Sequence, residues 1–213
     1  MIDYRVYLVT DDPSRYRGNW LDNVRAAVEG GVTCVQYRDT ESGAKERYER
    51  ILALRDAIGT TPLIVNNDAE LARSVKAEGV HVGQGDMSPE SVRKIVGREC
   101  EIGLSITAAS QVPRLQSLVC AGFVDAIGIG PVFDARKTKA DASAAMGPDG
   151  LREIVSMVPE LPNCAIGGIT LQNAAEVLSA GAKGLAVVSA FSRSEEPYEV
   201  ARSFSMLFDR CGK

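Results

Sequence analysis

The sequence predicts an α/β fold, a (β/α)8 TIM barrel that forms a single domain over residues 1–213. Short runs rich in β-branched residues alternate with longer segments whose apolar residues return every three or four positions. This alternation is typical of buried strands followed by amphipathic helices. Consecutive strand–helix units form a parallel sheet, and eight units in a chain of this length favour closure over an open doubly wound sheet.

The eight predicted strands are the apolar runs 6–10, 34–38, 63–66, 80–82, 102–105, 126–129, 164–166 and 185–189. The helical spacing of apolar residues predicts helices at 21–29, 44–58, 69–76, 89–96, 109–120, 150–158, 171–178 and 198–208. Glycines stand where several of these helices end, and a left-handed C-cap there would stop the helix and turn the chain: Gly30-Gly31, Gly59, Gly79, Gly122 and Gly181. Each predicted strand therefore has its own helix.

Composition and charge exclude several classes of function. The net charge is −4, so there is no global positive field that would bind nucleic acid or an anionic membrane. No stretch approaches the roughly 18 apolar residues of a transmembrane helix, and the N-terminal residues do not resemble a secretion signal. The five cysteines are widely spaced without a CxxC pair, which indicates reduced thiols and a cytoplasmic location. Whether the chain forms a homo-oligomer stays open.

Polar residues at the strand ends predict a site for phosphorylated small molecules, because the active sites of barrels lie at that face. Gly167 and Gly168 end the seventh strand, and Ser189 ends the eighth. Glycines let backbone N–H groups approach an anion, as in the phosphate site that this fold often builds after strands seven and eight. The alternative is a simple tight turn.

The second predicted strand brings an arginine to the same mouth. Alternation along the strand sends Gln36 and Arg38 to one side, and a guanidinium there suits a diphosphate. The alternative is an ion pair between Arg38 and Asp39 or a helix carboxylate.

Oxygen ligands after the third and fourth strands favour a magnesium site. Asp68 and Asp86 close the third and fourth units, and Asn66 and Asn67 stand beside them. All four carry the hard oxygen donors that Mg²⁺ prefers when it is shared with substrate phosphates. Helix capping is the competing interpretation, and it is favoured for Asp68, whereas metal binding is favoured for Asp86.

Two further features allow a structural and a functional interpretation. His81 is the single histidine, and it suits either a hydrogen bond inside the barrel or an acid–base role. The segment 133–142 carries Arg136, Lys137, Thr138 and Lys139, and it is either a solvated charge run or a clamp that closes over phosphate.

In its order of motifs, the chain resembles the thiamine-phosphate synthase family over nearly its full length. Single motifs are weak evidence, but together and in this order they are specific. They are Val6-Tyr7-Leu8-Val9-Thr10, Gly30-Gly31-Val32-Thr33, Gln36-x-Arg38, Ile64-Val65-Asn66-Asn67-Asp68, Val80-His81-Val82-Gly83-Gln84 with Asp86, Gly103-Leu104-Ser105, Gly128-Ile129-Gly130-Pro131-Val132-Phe133, Thr138-Lys139, Ala165-Ile166-Gly167-Gly168-Ile169 and Val188-Ser189-Ala190.

The resemblance implies a Mg²⁺-dependent transferase that joins hydroxymethylpyrimidine diphosphate to hydroxyethylthiazole phosphate, giving thiamine monophosphate and diphosphate. It also implies a dissociative displacement, in which the thiazole nitrogen captures a pyrimidine carbocation. The resemblance implies that the pyrimidine diphosphate is bound by Gln36, Arg38, Asn66 and Lys139, and that Mg²⁺ is bound by Asp86 and Asn67. Ser105 would contact the leaving diphosphate, and Thr138 would lie in the same loop as Lys139. The thiazole phosphate would be bound by Gly168, Val188 and Ser189. Arg38, Ser105 and Lys139 would be the catalytic residues.

Two departures from the family pattern bear on activity. Thr40 stands where the family usually has Lys, and Asn67 where it usually has a second metal-binding Asp. Both changes remove a charge, so diphosphate and metal binding should weaken unless Asp68 or Lys137 compensates. The loop carrying Thr138 and Lys139 is also one residue longer than the common pattern.

Two alternatives remain beside the synthase. One is a thiazole tautomerase-like enzyme, but that activity requires a His where this chain has Thr107. The other is a non-catalytic barrel that binds thiazole or thiamine phosphates.

Overall fold

The computed structural model describes residues 1–134 and 144–210, which form a closed barrel of eight parallel strands. Each strand pairs with its neighbour along the chain, and β8 closes the barrel by pairing with β1. The strands are β1 Val6–Val9, β2 Cys34–Tyr37, β3 Leu63–Asn66, β4 Gly79–Val82, β5 Glu101–Ile106, β6 Ala126–Ile129, β7 Asn163–Ile166 and β8 Leu185–Val187. The predicted (β/α)8 barrel is confirmed.

Nine helices surround the barrel in the described part of the chain. They are α1 Trp20–Glu29, α2 Ala44–Ile58, α3 Ala69–Ser74, α4 Pro89–Val96, α5 Val112–Cys120, α6 Gly147–Met157, α7 Ala174–Ser179, α8 Ser189–Ser192 and α9 Pro197–Arg210. Two 3-10 turns, Pro13–Arg15 and Ala109–Gln111, lie in the loops after β1 and β5. None of the helices is long and apolar enough to cross a membrane, as far as residues 1–134 and 144–210 are concerned.

Alternation along the strands creates two separate apolar layers. Outward residues such as Leu8, Val35 and Leu63 pack against the helices and are fully buried. Burying each such side chain away from water contributes roughly 2 kcal/mol to the stability of the fold. The inward residues form a smaller cluster that fills the lower part of the barrel: Tyr7, Val9, Cys34, Ile64, Cys164 and Ala186. The barrel is therefore closed below and can hold a ligand only at the C-terminal ends of its strands.

Hydrogen bonds at the N-termini of α3 and α4 show which side chains cap these helices. Asp68 caps α3 by accepting the Leu71 N–H at 2.9 Å, as predicted, and it also forms an ion pair with Arg47. Ser88 caps α4. Asp86 is therefore not a helix cap.

The main correction to the predicted elements concerns the eighth strand. It ends at Val187 and not at Ser189, because Val188 leaves the extended conformation with φ −112° and ψ −76°. The N–H groups of Phe191 and Ser192 then turn back to the Val188 carbonyl. Ser189 is thus the first residue of a short helix.

Among the helices, the largest differences from the predicted bounds are at the starts of α5, α6 and α7. Helix α6 starts at Gly147, three positions before the predicted start at 150, and α7 covers Ala174–Ser179, so its first turn lies later than predicted. The predicted helix 109–120 is divided into a 3-10 turn and α5. Such terminal turns depend on local hydrogen bonds that apolar spacing does not specify.

Candidate active site

A cavity with two lobes opens at the C-terminal ends of the strands. The first, which we call the inner lobe, has a volume of about 200 Å³ and lies among Tyr7, Val9, Ile166 and Ala186 and the loops after β6, β7 and β8. The second, the polar lobe, has a volume of about 660 Å³ and lies over the ends of β1 to β4. Four residues line both lobes: Arg38, Asn66, His81 and Ser105. Two ligands in the two lobes would therefore meet at these four side chains.

The loop after β7 requires two glycines. Gly167 and Gly168 have φ of +100° and +64°, a region that L side chains rarely adopt. A Cβ on Gly168 would lie 2.7 Å from Cβ of Phe133, because the loop after β6 packs directly against this turn. The contact is held by the Phe133 N–H, which donates to the Gly167 carbonyl at 3.0 Å. The glycines thus serve backbone conformation and close packing together.

The loops after β7 and β8 contribute backbone to the inner lobe. Gly168, Val188 and Ser189, which were predicted to bind a phosphate, all line this lobe. Among the residues that the structure describes, the N–H groups of Gly168 and Ser189 donate no hydrogen bond to a protein acceptor. Unpaired backbone N–H groups at a cavity wall suit an anionic oxygen.

In the part of the chain that the structure describes, no carboxylate pairs with Arg38. Its backbone is fixed by Thr10, whose hydroxyl oxygen accepts the Arg38 N–H at 2.9 Å. Its guanidinium lines both lobes and forms no ion pair within residues 1–134 and 144–210. The alternative pair with Asp39 does not form, because Asp39 bonds Arg50 at 2.9 Å and the Tyr37 hydroxyl at 2.9 Å. Arg38 is thus available to an anion at the junction of the lobes.

Gln36 lies on the same inward side of β2 as Arg38, but deeper. Its side chain is buried, and its Nε2 donates to the Tyr7 hydroxyl at 2.6 Å. Burial raises the pKa of Tyr7 well above its ordinary value, so the phenol stays protonated. The pair forms part of the wall of the inner lobe.

His81 fills space that two neighbouring strands leave open. A Cβ on Gly103 would lie 2.5 Å from its Nδ1, and one on Gly128 would lie 2.9 Å from its Cε1. Its Nε2 lies 2.9 Å from the Ser105 hydroxyl, and Gln84 donates to the Ser105 carbonyl at 2.7 Å. The structural interpretation of His81 is thus supported, and the imidazole also positions the Ser105 hydroxyl at the junction of the lobes.

Asn67 and Asp86 are brought together in the polar lobe. Both are exposed there, and Asp86 is oriented by the Gly83 N–H, which donates to its Oδ2 at 2.6 Å. Asn67 adopts φ +60°, which Asn tolerates better than most residues. In the described part of the chain, no group of three His, Cys, Asp or Glu side chains surrounds a metal position. One carboxylate and one amide oxygen still fit Mg²⁺, which keeps several waters and binds substrate phosphates.

The sequence motifs did not indicate three charged residues that line the polar lobe. Asp12 and Arg15 line it from the turn after β1, and Glu41 lines it from the loop after β2. Lys139, predicted to bind the diphosphate, and Thr138, predicted to bind substrate from the same loop, lie outside the described residues.

The cavity mouth combines the residues Arg38 and Asp86 with N–H groups after β7 and β8 that are unpaired in the described part of the chain. Such a mouth is typical of barrel enzymes that act on phosphorylated small molecules. Residues 6–191 match the family model described as thiamine monophosphate synthase. The chain is 39% identical over 209 residues to the thiamine-phosphate synthase of Chloroflexus aurantiacus, covering 97% of this chain and 94% of that protein. The corresponding protein of Albidiferax ferrireducens is 40% identical over 207 residues, covering 96% and 92%.

A solved structure agrees with the sequence comparisons. Thiamine phosphate pyrophosphorylase from Pyrococcus furiosus superposes with a TM-score of 0.84 and 29% identity, covering 98% of this chain and 96% of that one. The chain belongs to the thiamine monophosphate synthase family. The predicted family, and with it a transferase of thiamine biosynthesis, are confirmed.

Proposed function

We propose that this chain condenses hydroxymethylpyrimidine diphosphate with hydroxyethylthiazole phosphate to give thiamine monophosphate and diphosphate. One observation carries the proposal: two lobes of different chemistry meet at Arg38, Asn66, His81 and Ser105. A reaction that joins two phosphorylated substrates needs two sites and one point of contact. Holding both substrates there converts a bimolecular encounter into a reaction within one complex.

The thiazole phosphate belongs in the inner lobe. Its phosphate would accept hydrogen bonds from the N–H groups of Gly168 and Ser189, while Val188 packs beside it. The diphosphate belongs in the polar lobe, where Arg38 and Asn66 would bind it. Gln36, fixed by Tyr7, would then lie below the pyrimidine.

Asp86 and Asn67 would hold Mg²⁺ beside the diphosphate. When bound, the ion would neutralise part of the charge on the leaving group. The amide of Asn67 supplies an oxygen but no charge, so Asp86 is the only charged member of this pair.

The chemical step needs no protein nucleophile. The bond between the pyrimidine methylene carbon and the diphosphate oxygen breaks, and its electron pair leaves with diphosphate. The lone pair of the thiazole nitrogen then forms the new carbon–nitrogen bond. Arg38 would stabilise the negative charge that develops on the leaving oxygens, and Ser105, positioned by His81, would donate a hydrogen bond to them.

Turnover with both substrates and MgCl₂ tests the proposal. We expect the chain to release diphosphate, and Arg38→Ala to reduce kcat by roughly a hundredfold or more, as is usual when a donor to developing charge is lost. Arg25→Ala is the matched control, since Arg25 is half-exposed on α1 and pairs with Asp22. Tight binding of thiamine monophosphate without any diphosphate release would instead support the non-catalytic phosphate-binding barrel.

Thr107 gives no support to the tautomerase alternative. Its N–H and hydroxyl both bond the side chain of Gln111, at 2.8 and 3.1 Å, and it lines neither lobe.

We also propose that the chain works in the cytoplasm. That proposal is supported by Cys34, Cys100, Cys120 and Cys164, which form no disulfide in the described residues.

A further inference from the structure

Among the described residues, those with negative side chains outnumber those with positive side chains in the lining of the polar lobe. Five carboxylates line it, from Asp11, Asp12, Asp39, Glu41 and Asp86. Among the described residues, the arginines that line it are Arg15 and Arg38. A diphosphate entering this lobe meets unfavourable charge unless each available cation contacts it.

Two arginines of α2 are already engaged in ion pairs. Arg47 forms an ion pair with Asp68, and Arg50 bonds Asp39 and Glu46. Neither of them lines the polar lobe. Within residues 1–134 and 144–210, Arg15 is thus the second guanidinium available there beside Arg38.

The turn that carries Arg15 is held firmly. Asp12 caps it by accepting the Ser14 N–H at 2.8 Å, and Pro13 occupies its first position. The next residue, Tyr16, is buried, and its hydroxyl accepts the Asp11 N–H at 3.2 Å. The backbone at Arg15 is therefore ordered before any ligand binds.

The guanidinium itself is oriented by a buried carboxylate. Nη1 of Arg15 donates to Oδ1 of Asp11 at 3.1 Å, and Asp11 is only 3% exposed. The other carboxylate oxygen of Asp11 accepts the Ser192 hydroxyl at 3.3 Å. A guanidinium has five N–H donors, and the side chain of Arg15 is 49% exposed, so this pair leaves donors for a ligand.

We propose that Arg15 is a second guanidinium ligand of the substrate diphosphate, acting from the β1 side of the polar lobe. The inference rests on the proposed function, which places the diphosphate in that lobe. A planar guanidinium suits phosphate oxygens because it can donate two parallel hydrogen bonds. The ion pair with Asp11 would keep it in place while the lobe is empty.

Binding of inorganic diphosphate in MgCl₂, measured by isothermal titration calorimetry, tests the inference. Arg15→Ala should weaken diphosphate binding roughly tenfold, the loss expected for one charge-assisted contact. In turnover assays the KM for the pyrimidine diphosphate should rise, while the KM for the thiazole phosphate should not change. Arg17→Ala is the matched control, because Arg17 lies two residues on, pairs with Glu195 and lines neither lobe.

Two results would overturn the inference. One is diphosphate affinity in Arg15→Ala equal to that of Arg17→Ala. The other is an equal loss for both substrates, which would mean that the change acts through Asp11 and Ser192 on the fold. Arg15→Gln, which keeps a polar side chain but removes the charge, replaces Arg15→Ala if the latter does not fold. Wild-type protein that binds diphosphate without turnover would refute the proposed function, but the binding comparison would still decide the role of Arg15.

Discussion

Nε2 of His81 lies 2.9 Å from the hydroxyl of Ser105, at the point where the two lobes of the cavity meet. The imidazole fits there because β5 and β6 present Gly103 and Gly128 to the barrel interior. The position of the Ser105 hydroxyl therefore depends on Gly103 and Gly128, because a side chain on either residue would displace the imidazole that contacts it.

A methyl group on Gly103 should therefore disturb the site. Its Cβ would lie 2.5 Å from Nδ1 of His81, so Gly103→Ala must displace the ring or the strand. We expect a loss of about 1–3 kcal/mol in the free energy of unfolding, typical of overpacking, and a turnover reduced at least tenfold. Urea unfolding and steady-state rates measure the two effects. In the control Gly43→Ala the methyl meets nothing within 4 Å and turnover should not change.

Gly168→Ala should impair binding of the thiazole phosphate. The change puts a side chain at φ +64° and brings its Cβ to 2.7 Å from Cβ of Phe133, so the turn must shift its N–H. The KM for the thiazole phosphate should rise by about tenfold or more, as expected when a hydrogen bond to a charged group is lost. Gly122→Ala, at φ +73° with nothing within 4 Å, imposes similar backbone strain away from the site. An equal KM in the two variants would contradict the phosphate assignment.

Asn67→Asp should strengthen Mg²⁺ binding. The substitution adds a carboxylate beside Asp86 in the polar lobe, where the ion would be bound. We expect half-maximal turnover at a several-fold lower Mg²⁺ concentration, read from a titration of rate against MgCl₂. Asn19→Asp introduces the same charge at the N-cap of α1, outside both lobes, and should leave the titration unchanged. An unaltered midpoint in Asn67→Asp would remove Asn67 from the metal site.

Thr40→Lys should improve binding of the pyrimidine diphosphate. Thr40 is exposed in the polar lobe, and a lysine there offsets part of its negative charge. The KM for this substrate should fall a few-fold at low ionic strength, and the gain should shrink with added salt. Thr61→Lys, in the loop that precedes β3 at the opposite end of the barrel, is the control. A KM that does not depend on salt would argue against the electrostatic explanation.

The ion pair of Asp39 should stabilise the fold in a defined pH range. Burial raises the pKa of Asp39, but hydrogen bonds from the Ser42 N–H, the Tyr37 hydroxyl and Arg50 outweigh it and lower the pKa to about 2 from 3.8. A depressed pKa in the folded state means that the stabilisation is complete above about pH 4 and is lost as the pH falls towards 2. The difference in unfolding free energy between wild type and Asp39→Asn should therefore be largest near neutrality and shrink across that window. Urea titrations at a series of pH values measure it, and a constant difference would contradict the pKa assignment.

Local patterns in the sequence were sufficient for the barrel and for much of its mouth. Apolar runs indicated all eight strands, because strands that are buried on both faces are continuously apolar. The helices were indicated by a period of three or four residues, because each buries one face. Alternation correctly put Gln36 and Arg38 on one side of β2, and the cap of α3 followed from Asp68 standing directly before the helix. Each of these features depends on residues a few positions apart.

The tertiary structure decided the contacts between distant segments. Only the folded structure shows that Arg50 pairs with Asp39, so that Arg38 forms no ion pair among the described residues, and that Asp12 and Arg15 line the polar lobe. The same holds for the glycines of β5 and β6 that admit His81, and for the early end of β8, which makes Ser189 a helix residue. Local spacing cannot predict them, because each depends on which residues from several strands share one small volume once the barrel closes.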